Sequence, residues 1–334
     1  MKISVAMATY NGEKYIYKQL ESLLKQTRKA EEIIIVDDNS TDNTACIVRD
    51  FIAKNTLHNW SFYINDKNMG FIKNFKNIIS KTSGDIIFLC DQDDIWLPKK
   101  IEKLEMLFKE NPQALAINSS FNLINENDKK YSIAKKNNWS NQNIIHYKIP
   151  EKEFTQINFS TIIRDNISPG CTMAFKSSMK EKIADQVNLE IPHDWEINLY
   201  AAVYDGLYFL NTPLINYRIH NSNTIGLSTE NQKDLLKIKG NYDKRISVLR
   251  TQIGLCRLLL TPLFYMKADN KNKSYVNHAY KFSLLRMEVL KNNSGLAWLR
   301  LWAHVPFINK DNTIKMIFGD LVFILNMQKF FKKK

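Results

Sequence analysis

Apolar positions along the first hundred residues switch between two periods. Residues 3–8 form a nearly continuous apolar run that predicts a buried strand. After Asn11-Gly12, the apolar residues Ile16, Leu20, Leu23 and Leu24 fall at helical spacing. Residues 32–36 predict a second strand ending in Asp37-Asp38-Asn39-Ser40, after which Thr41 or Asp42 can cap a helix reaching about Lys54. Residues 60–65 alternate as a third strand, 71–80 predict a helix, and 85–90 a fourth strand. Pro98 opens a further helix with Ile101, Leu104, Leu107 and Phe108 on its apolar face. Strands alternating with helices predict an α/β fold, Rossmann-like, with a mainly parallel sheet covered on both faces. Such sheets bind ligands beyond the carboxyl ends of their strands. Those ends carry Thr9-Tyr10-Asn11, Asp37-Asp38 and Asp91-Gln92-Asp93-Asp94.

Farther along, 115–123 is apolar, whereas 125 to about 143 is polar and aperiodic and predicts an excursion rather than an element. Helices are expected near 177–184 and after His193-Asp194-Trp195, with short strands at 207–210 and 214–217. Helical patterns dominate from Thr229 onward. The expected division is a domain over 1–228, in halves 1–112 and 113–228, followed by a helical region over 229–334.

Charge divides the chain at the same point. The net charge is +13, yet residues 1–229 carry 27 basic and 27 acidic side chains, and residues 230–334 carry 20 and 7. A neutral front and a cationic end imply different partners. The basic region mixes Lys and Arg with Leu, Phe, Tyr and Trp. It reads either as packed helices with a solvated basic face or as an interfacial surface for anionic lipid. No recognition motif supports nucleic-acid binding. A composition of 44% hydrophobic and 24% charged residues excludes wholesale disorder. Cys46, Cys90, Cys171 and Cys256 lie far apart with no C-x-x-C, which excludes a Cys-based zinc site and a disulfide framework and fits a reducing cytosol. Neither a signal peptide nor a spanning helix is expected, because no apolar run reaches about 18 residues. The expected location is therefore cytoplasmic, peripheral at the inner face of the cell membrane.

The densest chemical signal is Cys90-Asp91-Gln92-Asp93-Asp94-Ile95-Trp96. Acids crowded behind an apolar strand raise one another's pKa unless a cation joins them. Oxygen ligands suit Mg²⁺ or Mn²⁺ shared with substrate phosphates; the plainer reading is a helix N-terminus whose acids meet the macrodipole. Asp37-Asp38-Asn39-Ser40 is likewise either a turn and cap or a hydrogen-bond acceptor for a base or ribose. Neither G-x-G-x-x-G nor a P-loop is present, so phosphate charge falls to a metal and scattered basic residues. Asp194 is either an N-cap for the helix that follows or a carboxylate made more basic by partial desolvation beside His193 and Trp195. Gly170 suits a close backbone approach, and Cys90 and Cys171 suit packing rather than nucleophilic roles.

Several strings then fall in one order: A-T-Y-N-G (8–12), I-V-D-D-N-S-T-D-N-T (35–44), N-M-G-F-I-K-N-F (68–75), G-D-I-I-F-L-C-D-Q-D-D-I-W (84–96), P-G-C-T-M (169–173), H-D-W (193–195) and Y-R-I-H-N-S-N-T-I-G (217–226). Over residues 1–226 the chain resembles family 2 glycosyltransferases of the GT-A fold. The D-Q-D-D-I-W, H-D-W and Y-R-I-H strings are most similar to bacterial rhamnosyltransferase-like members that build surface polysaccharides. The resemblance implies an inverting, metal-dependent enzyme that moves a sugar from a nucleotide-sugar to a glycan or lipid-linked acceptor, with dTDP-rhamnose the best single donor. It implies donor contacts at Thr9, Tyr10 (stacking near the base), Asn11, Asp37, Asp38 (binding the base), Asp91 (near the ribose) and Arg218 (near the diphosphate). It implies Mg²⁺ or Mn²⁺ on Asp93, with Asp91 and His220, and Asp194 as general base. The acceptor side falls to Trp96, Gly170, Cys171, Thr172, His193 and Trp195. Many members carry A-R-N where this chain has Asn74-Phe75-Lys76, so Lys73 is the expected substitute for the missing charge.

The chemistry accounts for these parts. The donor leaves as a diphosphate, whose developing charge a cation neutralises. The acceptor hydroxyl needs a carboxylate to take its proton, and a single displacement inverts the anomeric centre. UDP-galactose, UDP-glucose or a related donor is the alternative, and a non-catalytic nucleotide-sugar-binding protein is a further one. A sugar nucleotidyltransferase would carry G-x-G-T-R after the first strand and a processive synthase Q-x-x-R-W; neither string is present.

Overall fold

The computed structural model describes residues 1–131, 153–164, 166–184, 191–220 and 242–308, and positions 314, 317, 318, 320 and 321. The excursion beyond residue 131, the 221–226 end of the last motif, the helical pattern over 229–241 and the chain after 321 lie outside the described residues. The chain divides into two compact units, Met1–Val187 with Pro192–Ser228, and Asn188–Ile191 with Thr229–Lys334.

The first unit opens with β1 (Ile3–Thr9), α1 (Ile16–Leu24), β2 (Glu32–Asp37), α2 (Thr44–Lys54), β3 (Trp60–Ile64), α3 (Phe71–Lys81) and β4 (Ile86–Cys90). Alternating strands and helices produce parallel pairing in the order β3-β2-β1-β4. The apolar runs of β1 and β4 are buried on both faces; Ile3, Val5, Met7 and all of Ile86 to Cys90 are fully enclosed. Register sets Thr9 beside Asp37 and Met7 beside Cys90, so the strand ends bearing the candidate residues share one edge.

The chain continues through β5 (Ile95–Trp96), α4 (Lys100–Glu110), β6 (Ala116–Ile124), β7 (Lys130–Tyr131), β8 (Phe154–Gln156), α5 (Phe159–Ile162), β9 (Met173–Lys176), α6 (Lys180–Ala184), α7 (His193–Val203) and β10 (Leu207–Arg218). Here the sheet becomes mixed. Strand β9 runs antiparallel between β4 and β6, while β10 runs parallel to β6 and antiparallel to β5 and β8. The two short strands expected over 207–217 are one 12-residue strand. Its register to β6 shifts on either side of Pro213, where the missing N–H interrupts the ladder without ending it.

The second unit is helical: α8 (Tyr242–Leu259), α9 (Pro262–Lys267), α10 (Asn270–Asn292), α11 (Gly295–Leu301) and α12 (Val305–Ile308). Asp269 caps α10 by accepting from Asn272 N at 2.7 Å, and Asn293 ends it in the left-handed region with φ 52°. Buried Asp320 accepts from Arg245 Nη1 at 2.5 Å and Arg286 Nε at 2.6 Å. Among the described residues no helix is long and apolar enough to cross a membrane.

Candidate active site

The loops beyond β1, β2 and β4 meet the 166–170 loop and the start of α7 around a cavity of about 1020 Å³. That is room for a nucleotide and a sugar together.

On the side of β1 and β2, side chains tie the loops to each other. Gln92 holds the backbone of Tyr10 in a reciprocal pair: Tyr10 N donates to Oε1 and Nε2 donates to Tyr10 O, both at 2.8 Å. This leaves the Tyr10 ring exposed on the cavity rim. Asn11 takes a positive φ of 46°, and its Oδ1 accepts from Thr41 N at 2.8 Å. A Cβ on Gly12 would lie 2.2 Å from Gln92 Oε1, so a side chain there would displace the Gln92 amide. Asp38 lines the cavity and anchors the Asn68-Met69-Gly70 loop: Oδ1 accepts from Met69 N and Asn65 Nδ2, and Oδ2 from Gly70 N, each at 2.8 Å. Oδ2 keeps a lone pair for a ligand.

Asp91 and Asp93 line the cavity, and Asp94 is fully buried behind them. Burial, with Asp93 and Asp194 nearby, pushes the Asp91 carboxyl up to about 7. Asp94 is pushed well up by burial and by Asp93 and Asp91, and its Oδ1 accepts from Arg218 N at 3.0 Å. Asp91, Asp94 and Cys171 form a group of metal-binding types, with one ligand atom of each within 4.8 Å of the others. His220 Nε2 lies 2.8 Å from Asp93 Oδ2, and its ring packs on Tyr15 at 4.8 Å.

Across the cavity, Asp194 sits in the first turn of α7 rather than at its N-cap, which is Pro192. Its Oδ1 accepts from Trp195 N at 2.9 Å and its Oδ2 from Asn166 Nδ2 at 3.0 Å. Burial raises its carboxyl to about 6, against the pull of these donors. His193 stacks on Phe75 with ring centroids 4.0 Å apart, and neither of its buried ring nitrogens has a protein hydrogen-bond partner. Burial and Lys76 push its pKa down to about 3, so the imidazole is neutral across the working range. A Cβ on Gly170 would press on Asp194 Cβ and His193 Nε2, both at 3.2 Å.

Thr9, Tyr10, Asn11, Asp38, Asp91, Asp93, Gly170, His193, Asp194, Trp195 and His220 thus line one cavity. The other expected contacts do not, and each has a physical reason. Asp37 is fully buried and accepts from Thr9 Oγ1 at 2.7 Å and Ser40 Oγ at 2.6 Å. Trp96 is enclosed beside Phe88, with the Lys100 ammonium 3.8 Å over its ring, and so cannot touch an acceptor. Cys171 and Thr172 point into the core, where the Cys171 carbonyl accepts from buried Lys100 Nζ. Arg218 is fully buried; its Nε donates to Asp93 O at 2.6 Å and its guanidinium covers Tyr15 at 4.7 Å, so it clamps the acidic loop from behind. Lys73 is exposed on α3 away from the cavity, whereas Lys76 pairs with buried Glu196 at 2.9 Å. Sequence reasoning missed Lys14, Gln92 and Asn166, which also line the cavity. Gln92 alone carried a signal, its place inside the acidic string.

An acidic loop at the carboxyl edge of a part-parallel sheet, faced across a nucleotide-sized cavity by a separate carboxyl, is the arrangement of GT-A enzymes that use nucleotide sugars. The chain belongs to glycosyl transferase family 2, whose model matches residues 4–181. It is 29% identical over 259 residues to the dTDP-rhamnosyl transferase RfbG of Shigella flexneri, covering 74% of this chain and 80% of that one. Against the glycosyltransferase GlyG of Streptococcus pneumoniae it is 36% identical over 121 residues, 36% of this chain and 39% of that one. Two solved structures share the fold. S. aureus TarS 1-349 in complex with UDP-GlcNAc has a TM-score of 0.56 at 18% identity, covering 98% of this chain and 92% of that one. The mannosyltransferase PcManGT from Pyrobaculum calidifontis, in complex with GDP-Man and Mn²⁺, has a TM-score of 0.52 at 13% identity, covering 100% and 88%.

Proposed function

We propose that this cavity performs inverting transfer of a sugar from a nucleotide-sugar, with Asp194 as the base that takes the acceptor hydroxyl proton. The observation that carries the reading is Asp194 itself: a carboxyl raised to about 6, held at both oxygens, lining the same cavity as Asp91 and Asp93. A base near that pKa is ionised at neutral pH yet basic enough to accept a proton in the transition state. His193, neutral and stacked on Phe75, walls the acceptor side with Trp195.

Tyr10 offers its exposed face to the base, and Asp38 its remaining lone pair. The carboxylate oxygens of Asp91 and Asp93, with the His220 imidazole, suit Mg²⁺ or Mn²⁺. When bound, that cation neutralises charge developing on the leaving diphosphate. Lys14, on the cavity rim and paired with Glu126 at 3.1 Å, adds a positive charge.

The rhamnosyl donor, dTDP-rhamnose, is supported by the likeness to RfbG across most of both chains. The acceptor is a glycan or lipid-linked saccharide of a bacterial surface polysaccharide. Docking of the helical unit on anionic lipid at the inner membrane face is supported by its excess of basic residues and by exposed Leu296 and Leu299, three residues apart on α11, with exposed Phe307 on α12. The test is nucleoside diphosphate release, with Mn²⁺, from a panel of dTDP-rhamnose, UDP-glucose, UDP-galactose, UDP-GlcNAc and GDP-mannose. Release from dTDP-rhamnose well above the others is expected. Preference for a UDP-sugar would replace the donor, and full turnover in excess EDTA would remove the metal.

A further inference from the structure

Behind Asp194 runs a chain of three amides, of which Asn118 and Asn198 are buried and Asn166 is half-buried at the cavity. Asn118 Nδ2 donates to Asn198 Oδ1 at 2.8 Å, Asn198 Nδ2 donates to Asn166 Oδ1 at 2.8 Å, and Asn166 Nδ2 donates to Asp194 Oδ2 at 3.0 Å. The direction is set by the backbone. Ile167 N donates to Asn166 Oδ1 at 2.9 Å, so that oxygen must face away from Asp194 and the amide nitrogen toward it. Asn198 can then only present its nitrogen to Asn166 and its oxygen to Asn118. Every donor points toward the carboxylate, and in a low-dielectric interior such aligned bonds polarise one another.

The chain joins separate elements: Asn118 lies on β6, Asn198 on α7 one helical turn beyond Asp194, and Asn166 on the loop that lines the cavity. Asn118 and Asn198 are fully buried and do not line the cavity, so they cannot touch a substrate. Among the described residues the far end, Asn118 Oδ1, has no hydrogen-bond partner. A network kept only for packing would satisfy both ends or be apolar, because an unpaired buried carbonyl is costly. With Oδ1 held by Trp195 N, the Asn166 bond stops the carboxyl from rotating away from the cavity.

We infer that Asn198, backed by Asn118, is a positioning residue for glycosyl transfer, holding the Asn166 amide so that it fixes Asp194 Oδ2. This rests on Asp194 being the base. Misplacement of a reacting group by about 1 Å costs on the order of 10²-fold in rate. Asn198→Leu, close in volume, should therefore lower kcat by roughly tenfold or more with donor KM unchanged, read as nucleoside diphosphate release from the panel donor that turns over fastest, with water as acceptor. Asp194→Asn should abolish the effect, the double variant being no slower than Asp194→Asn alone. Wild-type kcat in folded Asn198→Leu, or losses that multiply in the double variant, would overturn the positioning role while leaving the base in place. Wild-type turnover in Asp194→Asn would remove the base, and the positioning role with it. A second measurement is independent of whether Asn198→Leu folds. In ¹⁵N-asparagine-labelled protein, Asp194→Leu should shift the side-chain amide resonances of both Asn166 and Asn198, although Asn198 does not touch Asp194. An unmoved Asn198 resonance would overturn the chain.

Discussion

His220 Nε2 stands 2.8 Å from Asp93 Oδ2 across 127 residues of sequence. Strand β10 delivers the histidine past its last residue, Arg218, whose side chain holds the backbone of Asp93 from behind. One residue therefore braces the acidic loop and the other faces its carboxylate.

This pairing predicts that His220→Ala loosens cation binding rather than the fold. Groups that orient a ligating carboxylate are worth about 10–100-fold in metal affinity. Calorimetric titration with Mn²⁺ should show weakening in that range with the melting temperature nearly unchanged. Unaltered Mn²⁺ affinity would confine His220 to packing on Tyr15.

Asp194→Asn should lower turnover by about 10²-fold or more with donor KM little changed. The pH dependence has a definite sign. Base catalysis needs the carboxylate, so wild-type kcat should rise with pH through about 6 and level above it. The same raised pKa means that burying the ionised group costs stability, a cost absent below the unfolded value of 3.8, growing as pH rises from there to about 6 and constant above it. Asp194→Asn should therefore be more stable than wild type at pH 8, by up to about 3 kcal/mol and less as cavity water solvates the carboxylate, and no more stable at pH 3. Urea unfolding at the two pH values checks this.

Gly12→Ala should push the Gln92 side chain aside and break its two hydrogen bonds to Tyr10. With the Tyr10 loop released, donor KM should rise several-fold while stability falls by roughly 1–2 kcal/mol, the worth of two exposed hydrogen bonds. An unchanged KM would separate Tyr10 from donor binding.

The helical unit should bind vesicles rich in anionic lipid and release them at high salt, since each basic residue near such a surface contributes on the order of 1 kcal/mol. Leu296→Glu with Leu299→Glu should reduce that binding by removing exposed apolar area and adding opposing charge. Equal sedimentation of wild type and the double variant with vesicles would leave this face as ordinary surface.

The amino-acid sequence by itself determined the α/β class, the strand–helix order of the first hundred residues and the sheet edge that carries the cavity. Those are local matters: period, burial and turn chemistry are written over windows of about ten residues. It also marked the acidic string and the H-D-W triplet. Only the tertiary structure decided which of those residues reach the cavity. Trp96 and Cys171 sit in the same strings as Asp91, Asp93 and Gly170, and Arg218 in the same string as His220, yet all three are buried. Strand β9, at four residues, is too short to show a period and exists through its pairing with β4 and β6. The pairing of Lys76 with Glu196, the contact of His220 with Asp93 and the amide chain from Asn118 to Asp194 each join residues far apart in the chain. No local pattern encodes such contacts, because they arise only when separate elements pack and a buried polar group takes whichever partner the packing brings within reach.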